Sequence, residues 1–331
     1  MQAEDFESFR SRRRQRFLDP ENFEACFKFI EPATKARERT LAVADGENDT
    51  DFANLSRVAG DIAEDKFFLF SLRYTAGESP DKLRHDFEGV IAAYERYAKY
   101  DRQYHEEPRM PLFDFNHIDD YVRMLALLSI AILLRRDDLI PRIHELIADS
   151  AFDGQDAVYE ELLTRFLPHR PYLDEWYHEL PYRYLLDVTG GESAEERIAD
   201  MQSYLKNWYK YMKGCGWYDS HKNQGPEGGG YFGYWAWEAA AVAYLYDLDD
   251  TSFRDHLVYP KDLVAFARQH APLDQEQLPA QYRVLPGEPC PKTGEWMVGH
   301  TPRTARRFTK GEMMPELNLD TGATIWMFVR D

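Results

Sequence analysis

The residues with the strongest claim to chemistry are carboxylates and histidines set among aromatic side chains. Glu238 lies in GYWAWEAAAVAYLYDL (233–248), where the only other charge is Asp247. A carboxylate in such a run is either an acid whose pKa burial has raised or a hydrogen-bonded plug in a core. If 230–247 is helical, the spacing places Tyr231, Tyr234, Trp235, Val242 and Leu245 on its face. Tyrosine hydroxyls, or a distant Lys or Arg, are then expected to satisfy it. Glycoside hydrolysis would need a second carboxylate across an aromatic-lined site. Asp187, Asp219 and Glu175 are the candidates, and spacing singles none of them out. Glu238 is therefore read as a structural, buried polar residue, and no catalytic residue is assigned.

Three other motifs stop short of a site. HELIA (144–148) opens like a zinc-protease helix but has Ala148 where the second histidine belongs. His144 and Glu145 are expected on the solvated side of a short helix. GPEGGGYFG (225–233) lacks the strand and the Lys–Ser/Thr pair of a phosphate loop, so it reads as a turn leading into a helix. WYDSHKN (217–223) sets Asp219, Ser220 and His221 side by side. A catalytic relay is assembled from separated parts of a chain, so this stretch reads as a polar loop with Asp or Ser capping the next element. Cys26, Cys215 and Cys290 are too few and too scattered for a disulfide framework or a zinc site. No metal or cofactor residue is assigned and no cofactor is expected.

The chain's formal net charge of −18 argues against a nucleic-acid ligand and for a basic partner, or simply for high solubility. The charge is uneven. Residues 1–271 hold 33 basic and 50 acidic side chains, a net of −17, while the last 60 hold 7 and 8. Acidic runs occur at DGENDTD (45–51), DGQDAVYEE (153–161) and DLDD (247–250). Asp153, Asp156, Glu160 and Glu161 place four carboxylates within nine residues and are expected as the contact surface for that partner. MLALLSIAILL (124–134) is too short to span a membrane, and the N-terminus has no signal-like apolar stretch. A cytoplasmic location and no membrane partner are expected.

The elements that must position these groups are mostly helices. Residues 22–43 carry Phe23, Cys26, Phe27, Ile30 and Leu41 at roughly helical spacing, with a kink or break expected at Pro32. Residues 51–74 follow the i, i+3, i+4 rule. GESPDKL (77–83) reads as a stop and restart, with Gly77 left-handed, Ser79 capping and Pro80 opening the next helix. Residues 117–135 read as a helix buried on most sides. The segments 155–166, 174–188, 193–213 and 261–269 continue the pattern. Beyond residue 272, Pro and Gly accumulate and short runs such as TIWMFV suggest two to four strands. The expected fold is mainly α, a two-part antiparallel helical bundle with a small C-terminal β-rich module. Its expected divisions are 1–110, 111–271 and 272–331.

NWYKYMKGCGWYDSHKN (207–223), GYFGYWAWEAAAVAYLYDLDDTSF (230–253) and YPKDLVAFAR (259–268) resemble the C-terminal domain of PoNi-type bacterial immunity proteins, antidotes to PoNe-type polymorphic nuclease toxins. FFLFSLRYTAGESPDKLRHDFEGVIAAYERYAKY (67–100) and DYVRMLALLSIAILLRRDDLI (120–140) are similar to the N-terminal part of the same family. The resemblance covers about residues 20–270. It implies a cytoplasmic, non-enzymatic antidote in interbacterial competition, typically of the type VI secretion kind, which binds its cognate secreted toxin and blocks the active site. It supplies no transferable contact residues and leaves homodimer formation open. The tail pattern C-P-x-x-G-x-W, then F-x-x-G-E-x-M-P, departs from the simplest members, and Trp296 and Trp326 are read as packing residues. The alternatives are a helical hydrolase acting on carbohydrate and an effector adaptor or chaperone of a secretion system.

Overall fold

Eleven α-helices and four short strands follow one another along the computed structural model, which describes residues 6–47, 50–191, 193–270, 283–284, 286–298, 304–317 and 326–330. Helix α1 is Phe6–Arg12, α2 Pro20–Glu47, α3 Phe52–Thr75 and α4 Pro80–Tyr104. Asp51 caps α3 by accepting from Asn54 N. Gly77 ends α3 at φ +99°, and Pro80 opens α4 at its first position. Ser79 stands at the expected N-cap of α4, but its side chain makes no capping bond. The pair α3–α4 packs as a hairpin, with α2 along α3. The break expected at Pro32 is absent, because α2 runs unbroken through it for 28 residues. Pro32 itself is exposed, and, two residues on, Thr34 Oγ1 ties α2 to Asp65 of α3.

Helix α5, Ile118–Leu133, buries Tyr121 and every residue from Met124 to Leu133. The short α6, Ile140–His144, and α7, Ala157–Leu163, lead to the hairpin of α8, Glu179–Gly190, and α9, Ala194–Tyr211. Ser193 and Glu196 form a reciprocal capping box at the start of α9. Helix α10 is Trp237–Leu245 and α11 is Lys261–His270. Every residue of α10 is buried, and it packs on α5 and α11. The helix expected over 230–247 is thus nine residues long, and 230–236 is non-helical. Tyr231, Tyr234 and Trp235 therefore do not share a helical face with Glu238.

One continuous hydrophobic cluster runs through the helices from Phe9 to Ala267. It crosses the expected 110/111 division, which falls between α4 and α5. The strands β1, Arg283–Val284, β2, Gly294–Val298, β3, Thr304–Phe308, and β4, Trp326–Arg330, form an antiparallel sheet in the order β1-β4-β2-β3. Val284, Cys290, Trp296, Phe308, Met314 and Trp326 make a separate small core there. Trp296 and Trp326 are fully buried in it, as packing residues should be. The expected 271/272 boundary and the start of TIWMFV, Thr324 and Ile325, lie outside the described residues. The mainly helical bundle with a small β appendage is the observed fold.

Candidate functional site

Glu238 opens α10 and is 1% exposed. Its Oε1 accepts from Tyr204 Oη at 2.5 Å and from Trp208 Nε1 at 2.8 Å, both donated by α9. Burial raises its carboxyl pKa, and the two donors only partly offset that. A tyrosine hydroxyl does satisfy the carboxylate, but it comes from α9 and not from the preceding chain. None of the other carboxylates weighed for a catalytic pair joins this group. Asp219 accepts instead from Tyr209 Oη and Lys222 Nζ, and Asp187 and Glu175 are exposed.

Trp208 also floors a small crevice of about 30 Å³, room for a water or two. Its indole stacks on Trp217, with centroids 5.6 Å apart and planes 18° apart. Helix α5 supplies one wall through Asp119, Val122, Arg123 and Ala126, spaced i, i+3, i+4, i+7. Phe67, Phe232, Trp235 and Trp237 close the rest. Gly233 passes between them at φ +113°, where a Cβ would lie 2.2 Å from Thr75 Oγ1. Arg123 lies 3.7 Å from the Phe67 ring centroid, and its Nη2 binds Glu64 at 2.8 Å. Sequence reasoning missed Arg123, yet its signal was legible: it is the only basic residue in the apolar run of α5.

The acidic contact surface expected at Asp153, Asp156, Glu160 and Glu161 is not a surface. Asp156, Glu160 and Glu161 are 0%, 1% and 6% exposed. Asp156 accepts from Tyr159 N, Tyr121 Oη and Tyr177 N, so it caps α7 from inside the core. Arg170 reaches back to bind Glu160 through Nε at 2.6 Å, and Asp153 through Nη2 at 2.5 Å. Glu161 accepts from Tyr246 Oη. Burial raises the pKa of both Asp156 and Glu160, against their hydrogen bonds. The run serves three anchor points: Asp153 and Glu160 share Arg170, Asp156 holds the tyrosine-rich start of α7, and Glu161 meets Tyr246. Arg170, nine positions beyond the run, is the counter-ion that sequence reasoning missed.

His144 belongs to the Arg170 group, with its Nε2 3.2 Å from Arg170 Nη1, and not to a solvated face. Its Nδ1 lies 2.8 Å from Tyr159 Oη, and burial, together with the charge of Arg170, lowers its pKa. Glu145 is exposed as expected. In the loop 217–223, His221 Nδ1 lies 2.7 Å from Tyr234 Oη, while Asp219 makes no side-chain cap for the following turn. All three cysteines are free and buried. Among the described residues, no three His, Cys, Asp or Glu side chains gather as a metal site, and no helix is long and apolar enough to cross a membrane.

Two consecutive helical parts sharing one core, with buried carboxylates held by internal donors and an aromatic crevice between α3, α5 and α9, define an acidic helical bundle. The chain belongs to the family of PoNe immunity proteins (PoNi): the family's N-terminal model matches residues 14–144 and its C-terminal model residues 154–263. The fold is similar to the crystal structure of protein PA2201 from Pseudomonas aeruginosa, at 22% identity and a TM-score of 0.62, covering 78% of this chain and 91% of that one. No curated protein matches the chain.

Proposed function

We propose that this chain binds a cognate secreted antibacterial toxin and neutralises it by blocking the toxin's active site, without chemistry of its own. The observation that carries the reading is the pair of family matches, which take in nearly all of the helical body. The charge supports the partner's chemistry. A helical body with a net of −17 complements a basic surface such as a nuclease needs for its phosphates. Such an antidote would act in the cytoplasm, as part of type VI-style competition. The 272–331 module is proposed as an addition to the binding body. Asp153, Asp156, Glu160 and Glu161 enter this reading as the frame that holds α7 and the Arg170 segment.

The test is co-expression with the toxin encoded beside the gene, followed by pull-down of the purified pair. Rescue of growth together with a stable complex is expected. Rescue without a complex, or turnover of a sugar polymer by the purified chain, would count for an enzyme instead.

A further inference from the structure

Residues 164–178 carry the chain from α7 to α8 as turns and irregular backbone, and Arg170 is the main tie of this strap to the body. Its Nε and Nη2 bind Glu160, and Nη2 also binds Asp153. Its Nη1 lies 3.2 Å from His144 Nε2. A guanidinium has donors and no acceptor, so Nε2 accepts and the ring proton sits on Nδ1, 2.8 Å from Tyr159 Oη. The contact therefore requires a neutral histidine in one tautomer. The seat is also held against the backbone, because His169 beside Arg170 stands at φ +63°, a left-handed conformation that costs a residue with a side chain. Lighter ties follow along the strap: Ala157 N donates to Glu175 O, Tyr177 N to Asp156 Oδ2, and His178 Nε2 to Phe115 O.

The groups that act on the His144 ring come from several elements. Tyr159 belongs to α7, Arg170 to the strap, Asp153 to the loop before α7, and Glu145 to the end of α6 itself. Helix α4, packed on α6, spends Glu88 and Glu95 on Arg142, and α5 brings no charged residue between Met124 and Leu133. Burial and the Arg170 charge lower the His144 pKa, against Asp153 and Glu145. A proton on Nε2 would set one N–H against another across the Arg170 contact. Its nearest acceptor is Asp153 Oδ1, 3.8 Å away, which Arg170 now holds. We propose that residues 164–178 are a proton-operated strap, seated while His144 Nε2 accepts from Arg170 and loosened when Nε2 takes a proton and competes for Asp153. The strap is argued without reference to a toxin and stands apart from the function proposed above.

The sign follows from linkage. A released strap leaves His144 in water, with a pKa of about 6.5. The seated state holds that pKa lower, so the released state binds the proton and seating weakens as pH falls below about 6.5. Burial raises the pKa of Asp156 and Glu160, which act in the opposite sense, so the histidine's share is read as a difference between two proteins. Hydrogen exchange on the full chain, corrected for the intrinsic pH dependence of exchange, compares wild type with His144→Gln. The glutamine oxygen can accept from Arg170 and takes no charge. Opening of 164–178 in the wild type relative to the variant should grow by up to about tenfold between about pH 7.5 and about pH 5.5, with the α3–α4 hairpin unchanged. A ratio that does not change with pH overturns the proposal. Nitrogen NMR of histidine-labelled wild type decides the matter without any variant. His144 should be the neutral Nδ1–H tautomer at neutral pH, and an Nε2–H or charged ring there would overturn the proposal as well.

Discussion

Glu238 shows how a carboxylate can be required and yet be replaceable by its amide. Its Oε1 accepts from Tyr204 Oη and Trp208 Nε1, and a glutamine oxygen can accept from both. Glu238→Gln should therefore keep the fold, whereas Glu238→Leu strands two buried donors and should cost about 2–5 kcal/mol in denaturant unfolding. The pH dependence gives a sharper check. The folded pKa is raised by burial above the unfolded value of about 4.3. Between the two values the folded state holds the extra proton, so wild-type stability falls as pH rises through that window. The stability of Glu238→Gln relative to wild type should therefore grow as pH rises from about 4.3; a pH-independent difference would refute the raised pKa. Arg170 makes the opposite case. Removing it leaves Glu160 buried and Asp153 unpaired, so Arg170→Ala should cost about 3–5 kcal/mol. Charge reversal at Glu160 should likewise lower the melting temperature, and any loss of protection should track that loss of fold.

At the scale of elements, glycines divide by what surrounds them. Gly233 turns the chain into the crevice wall at φ +113°, with Thr75 Oγ1 and Trp235 Nε1 both within 2.3 Å of a notional Cβ. Gly233→Ala should cost at least about 1–3 kcal/mol and disturb the crevice fluorescence. Gly89, inside α4, has nothing within 4 Å of its Cβ position. Gly89→Ala should stabilise by about 0.5–1 kcal/mol, and a denaturant series on both variants measures the contrast. The same elements show what the sequence made legible. Helices α3 and α4 were readable because their apolar spacing and the Gly77–Pro80 punctuation agree, and α5 because its apolar run is long enough for a buried helix. The non-helical 230–236 was not, because a run that is apolar on every side carries no period and fits a buried helix or an extended segment equally. The acidic cluster was misread for a related reason. Local charge density says nothing about a distant counter-ion, and Arg170 and Tyr246 become neighbours of those carboxylates only through the tertiary fold.

At the scale of the whole molecule, charge and core divide in the same way. The helical body has one continuous core and nearly all the net charge, while the β-strands have a small core of their own and a segment of net −1. Asp156, Glu160 and Glu161 are turned inward and Asp153 is half-buried, so under the proposed function attraction to a basic partner would come from the field of the remaining surface, spread over many groups. A distributed field acts mainly on encounter, accelerating association by about 10–1000-fold and fading as salt shortens its reach. A short-range anchor acts instead on dissociation. Association of the purified chain with its toxin should therefore slow by about tenfold or more between low and high salt, with the dissociation rate little changed. Stopped-flow association and dissociation measured over a salt series separate the two. A salt-independent association rate would mean that the −17 of the helical body is a solubility charge and plays no part in recognition.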